Sequence, residues 1–247
     1  MSKPLRLLSI AADAKTVKGQ KQGYLTGVLY LAPHTISGYQ VCPKASDGCR
    51  LACLYTAGRG IYTNTQQSRI NKTLRFFEDR TLFLSQLVSE VEALIRKAKR
   101  ENLIPVVRLN GTSDLPWEKF EVVRDGITFG SIMEAFKDVQ FYDYTKILGR
   151  AKAIRLKNYS LTFSLAEDND EEAAKAMAQG YNVAVVMNVG RQEAKPATWG
   201  GYPVVDGDET DLRFLDPAGH IIALFPKGKA RHDKLGFVRP KDGAFAY

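Results

Sequence analysis

Cysteine is scarce in this chain of 247 residues: there are three, all between positions 42 and 53. An odd set of three excludes a closed disulfide framework, and a chain of this length can bury a core without one. Apolar runs are short as well. None approaches the ~18 residues that a membrane-spanning helix needs, so no membrane partner is expected. Met1-Ser2-Lys3-Pro4-Leu5-Arg6 opens with charge and leads into no long apolar segment, which argues against a secretory signal. A reducing cytoplasm is the expected location, and free thiolates persist there. Acidic residues are in deficit, 27 Asp and Glu against 35 Lys and Arg, giving a formal charge of +8. That balance favours an anionic partner, either a small molecule or nucleic acid. No Walker loop, G-x-G-x-x-G, H-E-x-x-H or Ser-His-Asp motif is present, so kinase, dehydrogenase and hydrolase readings lack support.

What is present centres on Cys42-Pro43-Lys44-Ala45-Ser46-Asp47-Gly48-Cys49-Arg50-Leu51-Ala52-Cys53, with the spacing C-x6-C-x3-C. Cysteines serving as small buried hydrophobes would be scattered instead. Three thiolates on one short loop suit a metal that keeps a coordination position for something else. A 4Fe–4S cluster held by Cys42, Cys49 and Cys53 would leave one iron open to a ligand or substrate. Zinc would need a fourth protein ligand, for which His34 is the nearest candidate, and a loop without metal is the third alternative.

Hydrophobic patterning gives the frame. Tyr24 to Leu31 is β-rich, stops at Ala32-Pro33 and reads as the first core strand, followed directly by the cysteine stretch. Asn64 to Phe77 has helical spacing, with Arg69, Lys72 and Arg75 on what reads as a solvated basic face. Phe83, Leu84, Leu87, Val88, Val91, Leu94, Ile95 and Ala98 form one apolar helical stripe, closed by the cations Arg96 to Arg100 that the helix dipole favours. Further strands are expected at Ile104 to Leu109, Val139 to Tyr144, Tyr159 to Leu165, Asn182 to Met187, Pro203 to Val205 and His220 to Phe225. Ser131 and Glu134 make a capping box, and Asp170-Glu171-Glu172 opens a helix that Gly180 stops. Alternating strands and helices predict α/β architecture: one domain over 1–247, a full or partial (β/α) barrel of mainly parallel strands. A doubly wound open sheet is the alternative. Residues 1–22 read as an irregular arm and 226–247 as a basic tail, for gripping phosphate or for solubility.

In either fold, polar groups just after parallel strands gather at one edge, where sites form. That rule selects Asn110, Ser113 and Asp114 in Asn110-Gly111-Thr112-Ser113-Asp114, and Lys146 after the next strand. Arg108 joins them, because a charge inside an apolar strand is costly unless paired with a carboxylate or a bound anion. Trp117 and Trp199 read as loop-packing aromatics.

The cysteine stretch, together with Gly58-Arg59-Gly60, resembles the bacteriophage family called gene product 88. The likeness continues through Val107-Arg108-Leu109-Asn110-Gly111-Thr112-Ser113-Asp114, Trp117-Glu118, Phe141-Tyr142-Asp143-Tyr144-Thr145-Lys146, Leu161-Thr162-Phe163-Ser164 and Val205-Asp206-Gly207-Asp208. It implies a phage protein made in the cytoplasm of an infected bacterium. A looser similarity is to the radical S-adenosylmethionine superfamily, whose three-cysteine loop also follows the first strand of a partial (β/α) barrel. The usual spacing there is C-x3-C-x2-C, and its Gly-Gly-Glu turn is absent here. This similarity implies a 4Fe–4S cluster with S-adenosylmethionine as cosubstrate, and a radical or redox enzyme. Arg108, Asn110, Ser113, Asp114 and Lys146 would then orient the cosubstrate or neutralise its charge. The alternative from another class is a zinc-stabilised nucleic-acid-binding protein, with structural thiolates and affinity supplied by the basic helix and tail.

Overall fold

The computed structural model describes residues 5–10, 14–153 and 156–246. The chain enters through Leu8–Ile10 (β1), which pairs antiparallel with Tyr24–Leu29 (β2), and Ala14–Lys21 (α1) lies between them in sequence. The irregular arm expected over 1–22 is thus ordered at 8–10 and 14–21, while 1–4 and 11–13 lie outside the described residues. Pattern does not hold β1. Polar groups from two later helices do: the Glu90 carboxylate accepts the N–H groups of Leu7 and Leu8, and Lys72 Nζ donates to Leu7 O at 2.9 Å.

After β2 the chain forms the short helix Asp47–Leu51 (α2), then Thr63–Glu78 (α3) and Arg80–Glu101 (α4). The expected apolar stripe of α4 is its buried face apart from the half-buried Ile95, and Asn102 ends the helix in the left-handed conformation (φ 58°). Ile104–Arg108 (β3) follows, then the hairpin Val122–Arg124 (β4) and Ile127–Phe129 (β5). Ile132–Ala135 (α5) starts at Ser131, whose hydroxyl accepts the Glu134 N–H as a capping box requires. The remaining elements are Gln140–Thr145 (β6), Leu148–Ala153 (α6), Tyr159–Ser164 (β7), Asp170–Ala178 (α7), Val183–Val186 (β8), Thr198–Trp199 (β9), Tyr202–Asp206 (β10) and Ile221–Leu224 (β11).

Nine strands hydrogen-bond in the order β1-β2-β3-β6-β7-β8-β11-β10-β9. The pairings β2-β3, β3-β6, β7-β8, β8-β11 and β11-β10 are parallel. The mainly parallel α/β expectation therefore holds, but the sheet is not closed. Both flanks are taken by antiparallel partners, β1 on β2 and β9 on β10, so neither is left to complete a ring. From β2 to β8 the strands follow in chain order, and beyond β8 the order turns back, with β11 placed before β10 and β9.

Contacts divide the chain into two compact units. One comprises Met1–Pro43, Tyr62–Asp143 and Ile154–Ser160; the other comprises Lys44–Ile61, Tyr144–Ala153 and Leu161–Tyr247. The first unit packs α4 on β2 and β3 around Leu25, Leu87, Val91, Leu94 and Val106, with Phe76, Phe83 and Trp117 as an aromatic cluster. The second buries Phe163, Val183, Val185, Met187, Ile221 and Ala223 of its strands against Ala173, Ala176 and Met177 of α7. Trp117 and Trp199 are fully buried, and their indoles donate to Asn110 Oδ1 and Pro240 O, which makes both packing residues.

Two surface expectations need correction. Arg69 and Lys72 do not lie on a solvated face: they are 8% and 5% exposed. Lys72 Nζ reaches Leu7 O, and the Arg69 guanidinium stacks 4.8 Å above the Tyr30 ring. The expected tail over 226–247 is likewise docked at its far end. Arg239 Nη2 meets Asp170 Oδ2 at 2.6 Å, the Ala246 N–H reaches Asp170 Oδ1 at 2.9 Å, and Phe245 packs edge-on to Trp199.

Candidate functional site

In the first unit the loop leaving β2 closes on itself. Ile36, Gly38 and Val41 donate N–H groups to Pro33, Thr35 and His34, so residues 33–41 form a compact turn that delivers Cys42. His34 sits in the left-handed region at φ 40°, a strained position for a residue with a Cβ. In that conformation its backbone N–H points at Cys42 Sγ, 3.4 Å away. The Cys42 thiol in turn lies 3.7 Å from Thr112 O, and Asp114 N–H donates to Val41 O at 2.8 Å. The loop after β2 is therefore laced to the loop after β3, as the strand-edge rule anticipates.

Within that second loop the predicted residues have different tasks. Asn110 is buried and fully engaged: its Oδ1 accepts from Ser113 Oγ, Leu115 N and Trp117 Nε1, and its Nδ2 donates to Leu115 O. It holds the turn. Its own N–H is taken by Asp143 Oδ1 at 2.6 Å, and Asp143 Oδ2 accepts the Tyr159 hydroxyl at 2.9 Å. Gly111 is required by close approach, since a Cβ there would stand 2.7 Å from Leu29 O and 2.6 Å from the Tyr30 ring. Ser113 and Arg108 are half-buried and Asp114 is buried.

The second unit holds Cys49 and Cys53. Ser46 caps α2, its Oγ accepting the Cys49 N–H at 3.2 Å. Glu167, just past β7, completes the cap: Oε1 accepts Gly48 N–H at 2.5 Å and Oε2 accepts Ser46 Oγ–H at 2.7 Å. Gly48 permits this approach, because a Cβ there would fall 2.7 Å from that carboxylate. Cys53 begins the 3-10 turn Leu54–Thr56, with Thr56 Oγ1 donating to its carbonyl. Lys146 donates to Ser164 Oγ at 2.8 Å and Ser164 O at 3.2 Å, with its ammonium 5.5 Å above the Phe237 ring. Glu167 was the residue least visible in sequence. Only its place after a strand marked it.

All three cysteines are half-buried, and none forms a disulfide. Among the described residues no group of three or more His, Cys, Asp or Glu side chains is placed to hold a metal ion. His34, the candidate fourth zinc ligand, meets Cys42 through its backbone N–H, and its Nδ1 lies 3.4 Å from Thr35 Oγ1. Among the described residues no helix is long and apolar enough to cross a membrane.

A family model described as gene product 88 matches residues 6–241. The chain belongs to the gene product 88 family. The match runs from before β1 to beyond Arg239 and so takes in every candidate site residue, Arg108, Asn110, Ser113, Asp114, Lys146 and the three cysteines. No curated protein and no solved structure matches the chain, and neither comparison supports the radical-enzyme likeness.

Proposed function

We propose that this member of the gene product 88 family is an iron–sulfur protein in which Cys42, Cys49 and Cys53, not grouped for a metal in this structure, would be drawn together to hold a 4Fe–4S cluster. One observation carries the reading: all three cysteines of the chain fall within twelve residues that begin shortly after the first parallel strand, and none forms a disulfide. When bound, the cluster would supply electron transfer and one iron open to a further ligand.

The chain's own residues prepare the loop. The His34 N–H donates to Cys42 Sγ, the kind of hydrogen bond to sulfur that tunes the reduction potential of such clusters. Ser46 and Glu167 fix the turn that presents Cys49. Asn110 acts as scaffold, while Ser113 and Asp114 would orient a bound cosubstrate. Arg108 or Lys146 would neutralise its carboxylate or phosphate.

The test is anaerobic purification with iron, sulfide and zinc analysis, paired with electron paramagnetic resonance of the dithionite-reduced protein. About four irons and four sulfides per chain are expected. A signal that moves on adding S-adenosylmethionine would place that molecule on the open iron, and a cluster signal that ignores it would leave a redox protein. One zinc without sulfide, or no metal at all, would overturn the cluster.

A further inference from the structure

The far end of the basic tail docks on Asp170, but the stretch before it does not. Residues 227–234 contain Lys227, Lys229, Arg231 and Lys234 against one carboxylate, Asp233. That carboxylate is already engaged: Oδ1 accepts Leu235 N–H, and Oδ2 accepts those of Gly236 and Val238. Lys229, Arg231 and Lys234 are exposed and form no ion pair among the described residues. Arg231 uses only its Nε, which donates to Pro226 O at 3.5 Å.

This stretch packs backbone to backbone on the turn that follows Cys53, within the same unit. Gly228 takes a φ of 54°, and a Cβ there would stand 2.7 Å from Thr56 O and 3.0 Å from Ala57 Cβ. The turn contributes Arg59, also exposed and without an ion pair among the described residues. Two segments about 170 residues apart in sequence thus bring unpaired cations onto one double turn. The adjoining carboxylate does not balance them, because Asp208 already serves two lysines, Lys227 at 3.0 Å and Lys195 at 3.4 Å. Holding like charges together is unfavourable, and a polyanion reverses the sign of that term.

We infer that the double turn formed by residues 54–61 and 227–234 is a nucleic-acid surface that grips the phosphate backbone through Arg59, Lys229, Arg231 and Lys234. These are exposed charges on flexible stems, suited to phosphates and not to base edges, so the surface reads charge and not sequence. The inference goes beyond the cluster and does not depend on it.

The experiment measures binding of the full chain to a short oligonucleotide, single-stranded and duplex, by fluorescence anisotropy across a salt series. The variant Arg59→Ala/Lys229→Ala/Arg231→Ala/Lys234→Ala is compared with Lys99→Ala/Arg100→Ala/Lys119→Ala/Lys137→Ala, which removes the same charge from exposed positions of the other unit. For the first variant the slope of log affinity against log salt falls by about 0.9 per lost duplex contact, or about 0.7 on single strands, and affinity drops at least about tenfold. The second variant stays within about threefold of the native chain. A Lys229→Arg/Lys234→Arg variant retains binding, which separates lost charge from lost fold. Equal weakening by both alanine variants, or a native chain that binds neither oligonucleotide at low salt, overturns the surface.

Discussion

Lys72 shows how far burial moves a single group. Desolvation brings its pKa from 10.5 down to about 8; Glu90 opposes the shift and Arg69 adds to it. Below about pH 8 the lysine is charged in folded and unfolded chains alike, and the fold bears the whole desolvation penalty. Between about 8 and 10.5 the folded chain releases the proton while the unfolded chain keeps it, so stability rises with pH through that window. The rise is of order 3 kcal/mol. Denaturation of native protein and Lys72→Met across this range should show it in the native chain alone, and a constant difference between the two would refute it. Glu167 is the second informative residue. Glu167→Ala removes the acceptors of Gly48 N–H and Ser46 Oγ–H, costing about 1–3 kcal/mol and speeding hydrogen exchange over residues 46–53. Unchanged protection there would show that the cap does not hold the cysteine turn. Neither role could be read from residue type, since an exposed and a buried lysine look alike until a neighbour covers one of them.

Among elements, α4 and α7 were legible and β1 was not. The stripe from Phe83 to Ala98 runs over several turns, and its summed burial fixes both the helix and its inward face. Helix α7 is announced by its acidic first turn and by Gly180, as the dipole and cap require. Strand β1 has three residues and gains its place from Glu90 and Lys72, which lie far along the chain. The three-residue spacing of Arg69 and Lys72 does place them on one face of α3, but that this face is covered, by Tyr30 and Leu7, is decided by packing. Asp170 shows how an element end gathers distant chain: it opens α7 and also receives Arg239 and the Ala246 N–H. Asp170→Ala removes the charge partner of the half-buried Arg239 guanidinium, which keeps Ala166 O, so a loss of roughly 1–3 kcal/mol is expected, with proteolysis beginning beyond residue 239. A C-terminal segment that stays resistant in the variant would contradict the docking.

For the whole molecule, stability rests on the sheet and its two apolar cores, in which no cysteine is buried. A Cys42→Ser/Cys49→Ser/Cys53→Ser variant should therefore melt within a few degrees of the chelated native protein, about 1 kcal/mol or less. A variant that fails to fold would instead give the thiolates the structural role of the zinc alternative. The sequence by itself determined the main parallel strands from β2 to β11 with the helices α3, α4 and α7, the loops holding the candidate residues and the family. These follow from local periodicity, caps and spacing, which act over a few residues. Only the tertiary structure decided that the sheet stays open, that Asn110 is scaffold, that Arg69 and Lys72 are covered, and that Arg59 joins the cations of 227–234. Each depends on which distant segment fills a flank or approaches a side chain, and that information resides in packing between segments far apart in the chain.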